Sequence, residues 1–282
     1  MKYLNSFFHF IIFNNIWIAL CAVCSMHITR LFLGIPYKIN ALDFFIFFSA
    51  FSEYNLHEYF WKNHDSLQQG IRKFISGKVA SELRYAIICG FAGTMVSLVF
   101  LDEKIIPLAS ICSAFTLMYS LPLIKWNNTL VRLREFPFIK MLVVAFVWTV
   151  VTVLFPVIEM PRQIPVVETA IIFCRRFLFI YALIIPFEIN GLKSGKAAGE
   201  ILKMKITGIA VLVVFCVLAF MQEKYLAFNI ANRQNIFVPL ILSAGISAIL
   251  IAYYSSNSSR WYNKFLVDGM MILQLILLLL FN

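Results

Sequence analysis

Charge is what this sequence has least of. Charged residues fill 13% of 282 positions, with 14 acidic side chains against 24 basic ones, whereas soluble domains carry roughly 25% charge. Hydrophobic residues reach 61% and mean hydropathy is +0.85, more apolar surface than a water-soluble core of this length absorbs. Low-complexity tracts and long polar linkers are missing too. The longest polar connection, about residues 61–83, is too short for a separate fold, so residues 1–282 read as one integral membrane domain. No basic soluble domain exists to host nucleic acid, and nucleic acid is not an expected partner.

Glycine is sparse, and Gly191, Gly195 and Gly199 are too widely spaced and lack the GK[ST] ending of a phosphate loop. Cysteine is limited to six positions, all inside apolar stretches. Cys21-Ala-Val-Cys24 formally matches CxxC, and His27 continues the same helical face. Redox and zinc motifs belong in accessible loops with polar support, so small buried cysteines at a helix seam are the plainer reading.

What the sequence does have is nine apolar segments, over about residues 6–28, 40–60, 84–101, 105–123, 138–158, 167–187, 205–222, 236–254 and 264–281. A helix needs about 20 residues to cross a hydrocarbon layer ~30 Å thick. Open strands would leave backbone groups unpaired in lipid, so the expected class is all-α, a polytopic bundle of nine transmembrane helices. The fourth segment starts at Pro107 and stops near Pro122, where proline is respectively tolerated and terminating. In the first, the apolar run Phe7 to Met26 outlasts the roughly 7–15 residues of a signal h-region, and it is expected to be a mature helix.

Of the 24 basic residues, 16 fall at the N-terminus and in the loops after segments two, four, six and eight, and 8 fall on the opposite side. The positive-inside bias places the N-terminus in the cytoplasm and the C-terminus outside, with membrane lipids as the first expected partner.

Two polar clusters interrupt the apolar pattern. The first runs Ser52-Glu53-Tyr54-Asn55-Leu56-His57-Glu58-Tyr59-Phe60-Trp61-Lys62-Asn63-His64-Asp65. At about 100° per residue, Asn55, Glu58, Tyr59, Lys62 and Asn63 share one broad stripe that can face a cavity. The same residues also read as a Glu58–Lys62 ion pair beside an interfacial belt of Tyr54, Tyr59 and Trp61. The second cluster, Pro186-Phe187-Glu188-Ile189-Asn190-Gly191-Leu192-Lys193, puts Glu188 just past an apolar run and offers Asn-Gly as a turn. An acid at that depth needs a partner such as Lys193, a cation or water. Arg175 and Arg176 lie within the sixth apolar segment. One is expected to snorkel outward and the other to pair with Glu168 or with helix-end carbonyls, unless both snorkel.

Together with Tyr119-Ser120-Leu121-Pro122-Leu123-Ile124-Lys125, with Leu133-Arg134-Glu135-Phe136-Pro137-Phe138-Ile139-Lys140 and with Arg176-Phe177-Leu178-Phe179, these features resemble a divergent bacterial branch of the UbiA superfamily of intramembrane prenyltransferases. The resemblance implies a bacterial inner-membrane protein that transfers a prenyl group from an isoprenyl diphosphate to a lipid-soluble acceptor. It also implies Mg²⁺ held by Asp-rich motifs after helices two and six. Laid on this chain, the first motif begins at Asn55 and meets Leu56, Tyr59 and Asn63 where aspartates belong; the second begins at Glu188 and meets Gly191 and Gly195. Glu188 and Asn55 are thus the expected catalytic and metal-holding pair, with Glu58 and Asp65 nearby but out of phase. Arg72, Lys73, Tyr119, Lys125, Arg132 and Lys193 are the expected contacts to the diphosphate or another phospholipid headgroup. One carboxylate is a poor site for two magnesium ions. The alternative the same pattern supports is a non-catalytic isoprenoid- or lipid-binding protein, or a membrane scaffold, with a degenerate active site.

Overall fold

The computed structural model describes residues 11–12, 14–35, 38–63, 73–74, 81–126, 129–160, 164–191, 198–225, 236–255, 258–259 and 261–281. About 85% of it is helical. In chain order the helices are α1 (Ile16–Phe32), α2 (Ala41–Asn63), α3 (Ser81–Val99), α4 (Ile106–Ser120), α5 (Pro137–Thr149), α6 (Phe155–Glu159), α7 (Val166–Gly191), α8 (Ala198–Tyr225), α9 (Phe237–Tyr253) and α10 (Asp268–Leu280). A π-helical turn, Val150–Leu154, joins α5 to α6, and a second, Tyr262–Val267, leads into α10. Each of the nine apolar segments therefore carries a helix. Among the described residues, five stretches are long and apolar enough to cross a membrane: Ser81–Val99, Ile139–Glu159, Val166–Gly191, Ala198–Glu223 and Tyr262–Leu280. Helix α2 is 23 residues long but carries Asp43, Glu53, Glu58 and Lys62, and it is not among them.

The chain divides into two compact units, Met1–Val23 with Lys38–Val147, and Cys24–Tyr37 with Trp148–Asn282. In the first unit, α2 starts at a reciprocal cap. The Leu42 N–H donates to Asn40 Oδ1 at 3.1 Å and the Asn40 N–H donates to Asp43 Oδ2 at 3.0 Å, which satisfies two amides at the helix entry. Helix α3 packs closely against α2 because its contact face is made of small residues. A methyl group added at Gly90 would stand 2.8–2.9 Å from the Ser52 side chain and backbone, and one at Gly93 would stand 2.4 Å from the Phe48 ring. Thr94 and Ser97 return their hydroxyls to the carbonyls of Gly90 and Gly93, so polar side chains on this face leave no unpaired hydroxyl in an apolar setting.

Helix α4 has Pro107 in its first turn and closes at Leu121, as its two prolines predict. Beyond it the fold departs from purely helical expectation. Ile124–Trp126 and Thr129–Val131 form a two-stranded antiparallel hairpin with Lys125 opposite Leu130, followed by a 3-10 turn at Leu133–Glu135.

In the second unit, proline again shapes the helices. Pro156 has no N–H to give and its ring crowds the carbonyl one turn earlier; the π turn directly before it absorbs the misfit. Pro186 lies inside α7, and the helix continues through it to Gly191. The turn expected at Asn190-Gly191 is therefore not formed. Neighbouring helices re-satisfy a carbonyl freed by proline in an apolar bundle, so the residue does not end the helix. At Gly208, where an added methyl would lie 3.0 Å from Ile185 and 3.4 Å from Ile251, α8 meets α7 and α9 at close range.

The first apolar segment is also corrected. It is not one helix from residue 6 to 28: α1 begins only at Ile16, after a turn in which Asn15 adopts φ 61°, the left-handed region. Asparagine tolerates that region better than most residues. All six cysteines are free.

Candidate functional site

The first unit carries a polar cluster around the second half of α2. Asn55 is 1% exposed and its amide is fully engaged. Its Nδ2 donates to the carbonyls of Phe51 at 2.8 Å and Asn14 at 3.2 Å. Its Oδ1 accepts from Asn15 Nδ2 at 3.2 Å, and the same Nδ2 donates to Glu58 Oε2 at 3.1 Å. The left-handed turn at Asn15 aims that amide at α2. One asparagine thus ties together the carbonyl oxygen and the carboxylate that the resemblance puts forward as metal ligands.

One turn along, a second chain of hydrogen bonds crosses three elements. Ser120, the last residue of α4, donates its hydroxyl to Glu53 Oε1. Arg134, in the 3-10 turn, lies 2.7 Å from His57 Nε2 through its Nη1, and His57 Nδ1 lies 3.4 Å from Ser120 Oγ. Arginine can only donate, and Nη1 also lies 3.3 Å from His57 Nδ1, so it reaches both ring nitrogens. The contacts run through Arg134, His57, Ser120 and Glu53 in that order. The Ser120 proton points to a carboxylate and away from the imidazole, the reverse of what nucleophile activation needs. Tyr119 stacks on His57 with ring centroids 5.5 Å apart, and Arg132, 7% exposed, acts on the same imidazole through its charge.

Of the expected stripe, Asn55 and Glu58 are in this cluster, and the ring of Tyr59 packs among apolar groups. Tyr59 is 2% exposed and packs edge-on against Phe60 and Phe74, in an apolar group with Ile87. A position where the motif would need a carboxylate is filled by core packing. Among the expected headgroup contacts, Tyr119 and Arg132 join the cluster. Lys125 is exposed on the hairpin and Lys73 is exposed. Arg72, Asp65 and Lys193 lie outside the described residues, as do the side chains of Lys62 and Asn63. Glu188 is half-buried near the C-terminal end of α7, in the second unit.

The residues described do not fit a magnesium pair. Among them no three of His, Cys, Asp and Glu gather at one place, and the Asn55 and Glu58 oxygens already take an amide hydrogen. Magnesium demands near-octahedral oxygen donors, which this arrangement does not provide.

Sequence reasoning placed Glu53 and His57 in the first polar cluster and Ser120 in a family-like run without giving any of them a role, and it missed Asn15. Asn14-Asn15 inside an apolar run was the available signal, a polar interruption with left-handed tendency. Removing the tie should be measurable. Asn15→Gly keeps the backbone and loses two side-chain hydrogen bonds, an expected loss of about 1 kcal/mol, and Asn15→Ala adds left-handed strain for about 2 kcal/mol in total. Thermal melts of the two variants in one detergent check that order.

The arginines of α7 both depart from expectation. Arg175 is 2% exposed and Arg176 4%, so neither snorkels. Arg176 donates to Gln274 Oε1 at 3.3 Å and to the Ser25 carbonyl at 2.9 Å. Ser25 sits inside α1 rather than at a helix end, so the expected carbonyl partner is found at mid-helix. The Arg175 guanidinium lies 4.4 Å above the Phe32 ring, and Glu168 is not among its partners. Polar and aromatic groups from α1, α8 and α10 make an interior place for both cations, which sequence position alone could not reveal.

No family model, no curated protein and no solved structure matches this chain.

Proposed function

We propose that this chain is a UbiA-like protein of the bacterial inner membrane, with nine transmembrane helices and a cytoplasmic N-terminus. In this reading it binds an isoprenyl diphosphate, or a lipid phosphate of the same kind, at the polar end of α2, with its prenyl tail among the helices, and without metal-assisted turnover. The observation that carries the reading is the charge arrangement of the cluster. Glu53 and Glu58 are each held by a protein donor, while Arg134 contacts His57 and Arg132 acts on the same ring through its charge, with Lys125 exposed on the adjoining hairpin. Arginine recognises phosphate oxygens directly and with directional donors, so a headgroup can be held without a bridging metal. The aromatic faces of Tyr119 and His57 border the same place.

A second reading, prenyl transfer with Mg²⁺, keeps one specific support. Glu188 is the acid in register with the second motif, at the end of α7. Pyrophosphate release by the purified protein, supplied with geranyl, farnesyl and longer prenyl diphosphates, lipid-soluble acceptors and Mg²⁺, separates the two. The binding reading expects no release above the protein-free rate. Release that Glu188→Gln abolishes would establish the enzyme instead.

A further inference from the structure

The second unit contains a charged interior that the proposed lipid site does not use. Arg175 and Arg176 are adjacent in sequence, each at least nine-tenths buried, and no carboxylate of the described residues acts on either guanidinium. Two like charges in an apolar interior without a counter-charge are costly. Arg176 is partly compensated by the Gln274 and Ser25 oxygens. Gln274 is fixed in that orientation because its Nε2 donates to Ser243 Oγ at 3.0 Å. Arg175 has only ring faces, Phe32 at 4.4 Å and Phe215 at 6.0 Å, and its Nη1 has no hydrogen-bond partner.

Both arginines, Gln274, Phe32 and Phe215 border a single small cavity, where the space open to the centre of a water molecule is about 10 Å³. A volume of roughly 10–15 Å³ on that measure accommodates one small particle. A phosphate or a carboxylate-bearing molecule is too large for it. A water molecule would satisfy Nη1 but leave both charges uncompensated. We propose that this cavity is a binding site for one monatomic anion, a halide with chloride as its ordinary occupant, held between Arg175 and the Arg176 side of the pocket. The anion completes the interior of this unit and makes its stability depend on chloride.

The test uses the full-length protein purified in detergent, with radiolabelled chloride and with sodium gluconate as the halide-free salt at equal ionic strength. Chloride is expected to bind saturably at about one ion per chain. At about ten times the dissociation constant it should raise the melting temperature about 3–5 °C over gluconate. Arg175→Gln should abolish both effects and Arg175→Lys should retain them, because the charge and not the shape holds the ion. Absence of saturable chloride binding by the unaltered protein would overturn the proposal, as would binding undiminished in Arg175→Gln. Where Arg175→Gln does not fold, diffraction from bromide-grown crystals of the unaltered protein decides. An anomalous peak beside Arg175 supports the site, and a cavity holding water alone overturns it.

Discussion

Gly90→Val is expected to destabilise the first unit by about 3 kcal/mol, the upper range for forcing volume into a packed interface. The reason is the identity of the obstructing atoms. A side chain at Gly90 meets the Cα and N of Ser52, 2.9 Å away, so helix α2 itself must move. At Gly93 the obstacle is the base of the Phe48 ring, with Cγ 2.4 Å away where turning the ring about Cβ–Cγ does not move it; Gly93→Ala is expected to be destabilising as well. Moving α2 also displaces Asn55 and His57, so Gly90→Val should weaken headgroup binding as well as stability. Unfolding in a denaturing detergent titration, followed by circular dichroism, checks both losses.

The second large effect lies in the other unit. Arg30, 3% exposed at the end of α1, donates to Glu159 Oε2 at 2.9 Å, and Glu159 ends α6 with 30% of its side chain exposed. Removing one partner of a buried pair takes compensation away from the other charge. Glu159→Ala is therefore expected to cost about 3 kcal/mol, and Arg30→Met with Glu159→Ala together less than Glu159→Ala alone. Equal losses in the single and double variants would show that the ion pair is not what holds these helix ends.

That each apolar segment would carry helix was legible in the sequence, because a helix satisfies its own backbone hydrogen bonds; that only five of the described stretches are long and apolar enough to cross a membrane was not. Pro107 and Pro122 marked the ends of α4 for a local reason, whereas Asn190-Gly191, a turn signal by local chemistry, lies within α7. Asn55 was found by position in a motif, and Glu58 by proximity to it. Glu53, His57 and Ser120 were named but given no role, because their network depends on the chain after α4 folding back through the 124–131 hairpin to deliver Arg134. Tyr59 was misassigned for a related reason. Helical periodicity puts it on the polar stripe, and whether its ring meets water or Phe74 depends on α2's neighbours. The deep placement of Arg175 and Arg176 was equally invisible, since the rings and the glutamine that receive them come from segments far along the chain.

Binding of a radiolabelled farnesyl diphosphate to the protein in nanodiscs, measured with magnesium and with excess chelator, bears most directly on the lipid-phosphate reading. Arg132 and Arg134 supply the charge in that reading. The expected result is saturable binding that survives chelation and weakens at least about tenfold in the Arg132→Gln, Arg134→Gln double variant, the loss of more than about 1.4 kcal/mol of charge-assisted contact. Binding that disappears on chelation and is indifferent to those arginines would contradict the account and return the site to a metal-dependent prenyltransferase.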